Sequence, residues 1–486
     1  MKTIGQLADL LEDAVIIGNR DTVITGIEHD SRKVQQGTLF VCIPGVHVDG
    51  HKFIPQAVAA GASAIVTTRE DVEVPQGIAV LRVKELQPAL DTIVPYFHDY
   101  PARKMRVVGI TGTNGKTTTS YITRAILRKA GYKVGLIGTI QIMIEDEVLP
   151  IHNTTPDVVE LQHTLAMMRD KGMDYVVMEV SSHALDQNRV AGIEFDTAVF
   201  TNLTQDHLDY HKTFDNYLAA KKILFLNAKK AVVNVDDPYA DRIMEGLSIP
   251  ILTFGVRDRA DLSATNIDIT TRGVQFDLHT PVGDCRMNLP IPGLFSVFNA
   301  MGSVGLALSI GLPLDRIKEG LESMTSVSGR LEPVSAGKNV PFSVFVDYAH
   351  TPDALENVLK TIREFAKRRV ICVFGCGGNR DRAKRPIMGE IAGRFSDLAI
   401  ITSDNPRNEN PMDIIDTIEE GVKRSGTHYL VIENRRDAIA HALELAEPED
   451  VVLIAGKGHE NYQEINGTKY HFDDKEIVEE LLRKRV

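Results

Sequence analysis

The sequence predicts an α/β protein of three domains: a small α/β N-terminal domain, a central phosphate-loop mononucleotide-binding α/β domain and a C-terminal Rossmann-like α/β domain. Three observations carry this expectation. Residues 109–119 read Gly-Ile-Thr-Gly-Thr-Asn-Gly-Lys-Thr-Thr-Thr, on an apolar run that starts at Met105. Apolar strand candidates then alternate with helical stretches through two long blocks, the pattern of a mostly parallel sheet. Polar, Pro-containing linkers stand at His98–Lys104 and near Leu331–Lys338.

The expected boundaries are 1–103, 104–333 and 334–486. In the first block, short strands at Thr38–Ile43, Ala64–Thr67 and Ala79–Val83 mix with short helices. The second block carries strands at Val134–Ile137, Tyr175–Glu179, Thr197–Thr201 and Ala231–Val235, then a more β-like stretch over about 250–290. The third repeats the α/β series at Ser343–Asp347, Arg369–Gly375, Leu398–Thr402, Tyr429–Ile432 and Val451–Ala455. These strands end in polar or glycine-rich residues, and in open α/β sheets ligands bind at such carboxyl ends.

A chain of 486 residues with 43% hydrophobic residues has ample core for several domains. The net charge of −12 argues against a nucleic-acid partner, which wants a basic surface. No apolar run reaches the length of a membrane span, and Asp9, Glu12 and Asp13 interrupt any N-terminal signal core. The four cysteines form no C-x-x-C pair; Cys372 and Cys376 read as reduced, buried thiols. A cytoplasmic protein without membrane insertion is expected.

The Gly109–Thr119 segment is a strand, a turn and a Lys-Thr pair opening a helix. Backbone N–H groups of such a loop wrap phosphate oxygens, and the helix N-terminus adds partial positive charge. Lys116 offers a cation to the outer phosphates and Thr117 a hydroxyl to Mg²⁺. ATP or GTP is therefore the expected ligand. Five residues before Gly115 stands Ile110 rather than glycine. The loop is thus a variant, which disfavours the ordinary GTPases and kinases.

Further residues carry chemistry. Glu179 closes a strand beside the loop, where a carboxylate can hold the nucleotide's Mg²⁺ or else cap a helix. Asp206-His-Leu-Asp-Tyr-His211 is dense in ligands: His207 is favoured as a metal-site residue, and His211 is left open. A helix is expected over Phe214–Leu226. Its spacing surrounds both Lys221 and Lys222 with apolar neighbours, so at least one should be buried, with a lowered pKa and a nucleophilic amine. In Ser403–Pro411 two prolines stiffen a loop that presents Arg407 as a fork for a carboxylate or phosphate. Gly375–Arg380 and Ala455–Glu460 sit at two other strand ends. Glycine, arginine and glutamate there fit an amino-acid site.

These segments, in this order, resemble the Mur ligases that build the cell-wall peptide. The resemblance covers essentially the whole chain. It rests on Asp30-Ser-Arg32, Leu39–Gly45, His47-Val-Asp-Gly50, Thr111–Thr117, Asn153-Thr-Thr155, Glu179–His183, Asp206-His207, Ala219-Ala-Lys221, Gly329-Arg330, Asp347–Pro352, Asp404–Arg407 and Gly456–Glu460. It implies a UDP-binding N-terminal domain, a central ATP-binding domain and a C-terminal amino-acid-binding domain, acting as a monomer. It implies that ATP binds Thr111, Gly112, Thr113, Asn114, Gly115, Lys116 and Thr117, with Asn299, Arg330 and Asp347. The UDP-muramyl-peptide would meet Ser31, His47, Asn153, Thr154, Thr155, Ser181, Gln187 and Arg189. Lys221 would be the carbamylated lysine (N6-carboxylysine, from CO₂), which settles its choice over Lys222. Two Mg²⁺ ions would draw on Thr117, Glu179, His207 and carbamylated Lys221, and Lys116, Lys221, His207 and Glu179 would be catalytic.

The Asp-Asn-Pro-Arg wording accompanies meso-diaminopimelate in this family, whereas lysine-adding members differ at the arginine. Diaminopimelate has the second carboxylate that Arg407 can grip. Arg380, Asp404, Asn405, Pro406, Gly456 and Glu460 would complete that site. The implied reaction joins diaminopimelate to UDP-N-acetylmuramoyl-L-alanyl-D-glutamate. A lysine-adding ligase, a folate polyglutamate ligase and a nucleotide switch that forms no bond are the rivals; the first-block motifs speak against the folate enzyme.

Overall fold

The computed structural model describes residues 1–45, 49–151, 153–257, 260–335 and 340–484. The chain forms two compact units. One comprises residues 1–120, 131–233 and 237–252; the other comprises 121–130, 234–236 and 253–486.

In the first unit the N-terminal sheet has five strands. Their order is Val15–Ile17, Ala79–Arg82, Ala64–Thr67, Thr38–Val41 and Gly26–Glu28; only the first pair is antiparallel. The second sheet places Arg106–Thr111 between Tyr175–Glu179 and Thr197–Phe200, with Val134–Ile137 and Ala231–Asn234 outside them, all parallel. These strands are buried throughout apart from Arg106, as expected when both faces are covered. The parallel register brings the loops after Thr111, Ile137, Glu179 and Phe200 to one end of the sheet.

The second unit contains the β-rich stretch as an antiparallel meander of Leu262–Thr270, Gly273–Thr280 and Gly283–Leu289. Its main sheet has six strands in the order Glu332–Pro333, Ser343–Asp347, Val451–Ala455, Val370–Phe374, Leu398–Ile401 and His428–Val431. All pairs but the first are parallel. Strand Val451–Ala455 enters last between two earlier strands. The direction of winding reverses there, so the loops after Asp347, Phe374, Ile401 and Ala455 flank a crevice of the kind that binds ligands.

Most expected strand cores appear, with ends shorter by one or two residues. Tyr429–Ile432 is shifted by one, to His428–Val431. The trimmed residues Thr201 and Thr402 still donate their amides to the adjacent strands, at Thr111 O (3.0 Å) and Phe374 O (2.9 Å). Cys372 and Cys376 are free and buried, and burial pushes both thiols up to about 12. Among the described residues no helix is long and apolar enough to cross a membrane.

A buried ion pair docks the last helix, Asp474–Arg483, on this sheet. Arg435 Nε and Nη2 donate to Asp474 at 2.8 and 2.7 Å, and Nη2 also donates to the Ala455 carbonyl at 3.0 Å. Neither side chain is exposed. Removing one partner of such a pair leaves a buried charge. Asp474→Asn should therefore destabilise the protein by about 3–5 kcal/mol, read as an earlier midpoint in urea unfolding.

Candidate active site

The phosphate loop is folded and braced in the first unit. Asn202 accepts from the Asn114 amide at 2.9 Å and donates back to its carbonyl at 3.0 Å. Thr201 Oγ1 donates to the same carbonyl at 2.6 Å, and the Thr113 hydroxyl pairs with Tyr217 OH at 3.0 Å. Gly112 is required by space, because a Cβ there would collide with the Thr201 hydroxyl. Lys116 opens helix Lys116–Lys129 and turns back on the loop, donating to the Gly112 and Thr113 carbonyls at 2.8 Å each.

Helix Phe214–Leu226 settles the two lysines. Thr213 caps it, and its buried stripe is Tyr217, Leu218, Ala220, Lys221, Leu224 and Phe225. Lys221 lies on that stripe and is 1% exposed; Lys222 points off it and donates to the Arg242 carbonyl. Lys221 Nζ donates to Gly112 O at 2.8 Å, the same carbonyl that Lys116 holds, and lies 4.4 Å from the Tyr217 ring centroid. Burial, and then the Lys116 charge, hold this amine well below the ordinary lysine value. Burial thus favours the neutral, nucleophilic form of this amine.

Glu179 is fully buried. Its Oε2 accepts from the Thr117 and Thr139 hydroxyls at 2.9 Å each, and its Oε1 from the Thr139 amide at 3.0 Å. Thr155 Oγ1 donates to the Glu179 carbonyl at 2.9 Å and accepts from the Ser181 amide at 3.1 Å. Thr154 meets Thr139 at 3.1 Å. Arg189 Nη1 reaches the Thr155 carbonyl at 2.9 Å, and its Nε and Nη2 fork onto Gln187 Oε1. Thr117, Thr154, Thr155, Glu179, Ser181, Gln187 and Arg189 therefore form one connected network. Asn153 is exposed beside it. Ser31 is buried in the N-terminal sheet region, donating to Gln56 at 3.1 Å. His47 lies outside the described residues.

The histidines separate. His207 has a left-handed φ of 53° and caps the four-residue helix Leu208–His211. Its ring packs at 4.8 Å from that of His183. Partial desolvation, with Lys116 and Lys221 nearby, keeps it below the ordinary imidazole value despite Asp206. His211 is buried, with Nε2 at 2.9 Å from Ser182 Oγ; it is a satisfied core histidine. Among the described residues no three His, Cys, Asp or Glu side chains form a ready metal cage. The hydroxyl of Thr117 and the carboxylate of Glu179 are nonetheless the hard oxygen donors that suit Mg²⁺.

In the second unit three loops meet. Asn405 Oδ1 accepts from Lys457 Nζ at 3.1 Å and from the Glu464 amide at 3.0 Å, and Asn405 Nδ2 donates to Glu460 at 2.9 Å. Arg407 Nη1 donates to the Gly378 carbonyl at 2.9 Å. Gly378 must be glycine, since a Cβ would run into the Pro406 carbonyl. Burial raises the Asp404 carboxyl, but Lys457 and Arg435 outweigh it and hold the group below its ordinary value. Burial dominates at Glu460, whose carboxyl is raised. Gly456 is buried and Arg380 is exposed at the outer end of its loop.

Beside them, Asp347 accepts from the Leu331 and Ala349 amides at 2.7 and 2.8 Å, with its carboxyl raised by burial. Arg330 lies over the Tyr348 ring at 5.4 Å, and His459 packs on the same ring at 4.8 Å. Asn299 is buried in helix Leu294–Ser309.

Sequence reading missed Thr139, Asn202, Lys457 and Arg435. Lys457 stood inside the quoted Gly456–Glu460 motif, and its burial follows from sitting where the central strand ends. Thr139 had only its place after strand Val134–Ile137 as a signal. Arg435 had none, since it opens a helix as any surface arginine would.

Family comparison agrees with this geometry. Residues 23–103 match the Mur ligase family catalytic domain, 110–307 the Mur ligase middle domain and 329–458 the Mur ligase glutamate ligase domain. The chain is 47% identical over 470 residues to UDP-N-acetylmuramoyl-L-alanyl-D-glutamate–2,6-diaminopimelate ligase 1 of Clostridium acetobutylicum, covering 97% of each chain. It is 49% identical over 463 residues to the ligase of that name from Clostridium botulinum, covering 95% of each. A solved structure of a UDP-N-acetylmuramoyl-L-alanyl-D-glutamate–2,6-diaminopimelate ligase superposes with a TM-score of 0.71 at 32% identity, over 100% of this chain and 99% of that one. The ordered motifs, the parallel sheets and these near full-length matches together make the chain a member of the Mur ligase family.

Proposed function

We propose that the protein is an ATP-dependent ligase that adds meso-2,6-diaminopimelate to UDP-N-acetylmuramoyl-L-alanyl-D-glutamate in peptidoglycan precursor synthesis. The observation that carries the choice of amino acid is Arg407, a partly exposed guanidinium beside Asn405 and Asp404 in a loop held by neighbours on both sides. Full-length identity of 47–49% to ligases named for this reaction supports the reading.

The γ-phosphoryl group of ATP passes to the D-glutamyl γ-carboxylate, giving an acyl phosphate and ADP. The free amine of diaminopimelate attacks the acyl carbon, a tetrahedral intermediate forms, and phosphate leaves. Catalysis of this kind is mostly positioning and charge stabilisation. Residues 111–117 cradle the phosphates, and Lys116 exchanges its two loop carbonyls for phosphate oxygens. Asn299, Arg330 and Asp347 take the nucleoside side. Ser31, His47, Asn153, Thr154, Thr155, Ser181, Gln187 and Arg189 hold the UDP-peptide. Arg380, Asp404, Asn405, Pro406, Arg407, Gly456 and Glu460 hold diaminopimelate. Thr117, Glu179, His207 and a carbamate on Lys221 would hold two Mg²⁺ ions, which supply charge neutralisation at the phosphates. The neutral state of the Lys221 amine is the form that takes up CO₂.

The reading includes three domains, 1–103, 104–333 and 334–486, which the three matched family segments support. It also includes a monomeric, cytoplasmic enzyme.

One assay tests the core of the reading: phosphate release with ATP, the UDP-dipeptide and either amino acid. Release should require both acceptor and amino acid, and meso-diaminopimelate should outperform lysine. Faster turnover with lysine would overturn the choice of substrate, and release without either would point to a simple ATPase.

Two variants probe the residues. Lys221→Ala should abolish most activity, with short-chain carboxylic acids restoring part of it and bicarbonate none; a near-normal rate would exclude the carbamate. Arg407→Asn should lower kcat/KM for diaminopimelate by about 1–3 kcal/mol, the scale of a charge-assisted hydrogen bond, measured by steady-state kinetics.

A further inference from the structure

Within the first unit, the turn that carries Ser31 is joined by a side-chain pair to the segment that carries Asn153, Thr154 and Thr155. His29 Nε2 lies 2.9 Å from Asp157 Oδ2, and both side chains are partly exposed, at 30 and 38%. His29 directly follows the edge strand Gly26–Glu28. The chain then turns tightly. The Asp30 carboxylate accepts from the Arg32 amide and guanidinium, and the Asp30 carbonyl from the Lys33 amide. Ser31 stands in this turn, tied to Gln56. A shift of His29 would therefore carry Ser31 with it.

Asp157 has two tasks. Its Oδ1 caps helix Val158–Asp170, accepting from the Val159 and Glu160 amides at 3.0 and 3.2 Å, while its Oδ2 faces His29. Two residues earlier, Thr155 is anchored on the Glu179 carbonyl and the Ser181 amide. Val158 and Val159 pack in one apolar cluster with Ile27. Apolar packing holds the two segments together but has no direction. A charge-assisted hydrogen bond also fixes their register. The Asp157 hydrogen bond raises the His29 imidazole above its ordinary value against partial desolvation; Glu28 favours the charged ring and Lys33 opposes it.

We infer that His29 and Asp157 form a clasp that sets the register between the Ser31 turn and the Asn153–Thr155 segment, so that the two halves of the acceptor site meet one ligand together. This rests on the UDP-peptide reading above and adds two positioning residues to it. Neither residue needs to touch the ligand. A ligand that spans both segments gains when they are held in place before it binds, because less ordering remains to be done on association. A ligand that reaches only the Ser31 side gains nothing. The clasp is also tied to a proton. Because the folded protein raises His29, the charged pair is complete at and below the ordinary histidine value and is lost as pH rises through the raised one.

The test measures Kd by calorimetry for UDP-N-acetylmuramoyl-L-alanyl-D-glutamate and for UDP, with the full chain as wild type, Asp157→Asn and His29→Gln. Asp157→Asn keeps a good helix cap and removes the charge. At about pH 6 it should weaken the UDP-dipeptide about fivefold, the scale of a partly exposed ion pair, and leave UDP unchanged. The gap should close by about pH 9, where wild type has lost the charged pair. His29→Gln still donates to Asp157 but does not titrate, so its affinity for the UDP-dipeptide should hold between these pH values while that of wild type falls. Equal weakening of both ligands, a gap that persists at the higher pH, or no gap at the lower one would each overturn the clasp. A wild type that binds the UDP-dipeptide no better than UDP would overturn the acceptor reading and the clasp with it. A wild type that gains from the dipeptide, beside unshifted variants, overturns the clasp alone.

Discussion

The Glu179 carboxylate is the contact on which the nucleotide end of the molecule depends. A buried anion is tolerated only when donors surround it. Here the donors are Thr117, at the start of the phosphate-loop helix, and Thr139, at the end of the neighbouring strand. One side chain thus ties together three segments that are far apart in sequence. Its carbonyl carries the tie onward to Thr155, and from there to Ser181 and Arg189. The phosphate loop and the segment proposed for the acceptor peptide share this anchor.

The Gly112 carbonyl does comparable work with the opposite sign. Two lysines converge on it. Lys116 reaches the loop from the helix that the loop opens. Lys221 comes from a buried helical stripe, and burial holds its amine well below the ordinary lysine value. One carbonyl thus joins the start of helix Lys116–Lys129 to the buried stripe of helix Phe214–Leu226.

Much of this was legible in the sequence where local rules dominate. The strand cores followed apolar runs, and helix Phe214–Leu226 fell where its period placed it. The period could not choose between Lys221 and Lys222, because both have apolar neighbours at helical spacing. Only the way the helix packs made one of them core. His207 and His211 show the same limit: their i, i+4 spacing is real, yet a short helix with a left-handed cap sends one ring toward Ser182 and leaves the other exposed. Thr139, Asn202 and Arg435 were invisible for another reason. They act through partners tens of residues away, and no local pattern records a side chain whose role is to hold another.

The close packing around Arg407 bears on how the substrate choice proposed for this loop could be re-engineered. Residues 404–407 look like a self-contained cassette, but their conformation is imposed from outside. Gly378 gives the backbone clearance, Lys457 and Glu460 clasp Asn405, and strand Tyr462–Ile465, in a hairpin with Thr468–His471, bridges to Arg407, which itself sits at a left-handed φ of 52°. A graft of the four residues alone would carry the side chains without the constraints that aim them. The unit to transplant is the loop together with its glycine-rich neighbour and the hairpin, three segments separated by many residues of chain.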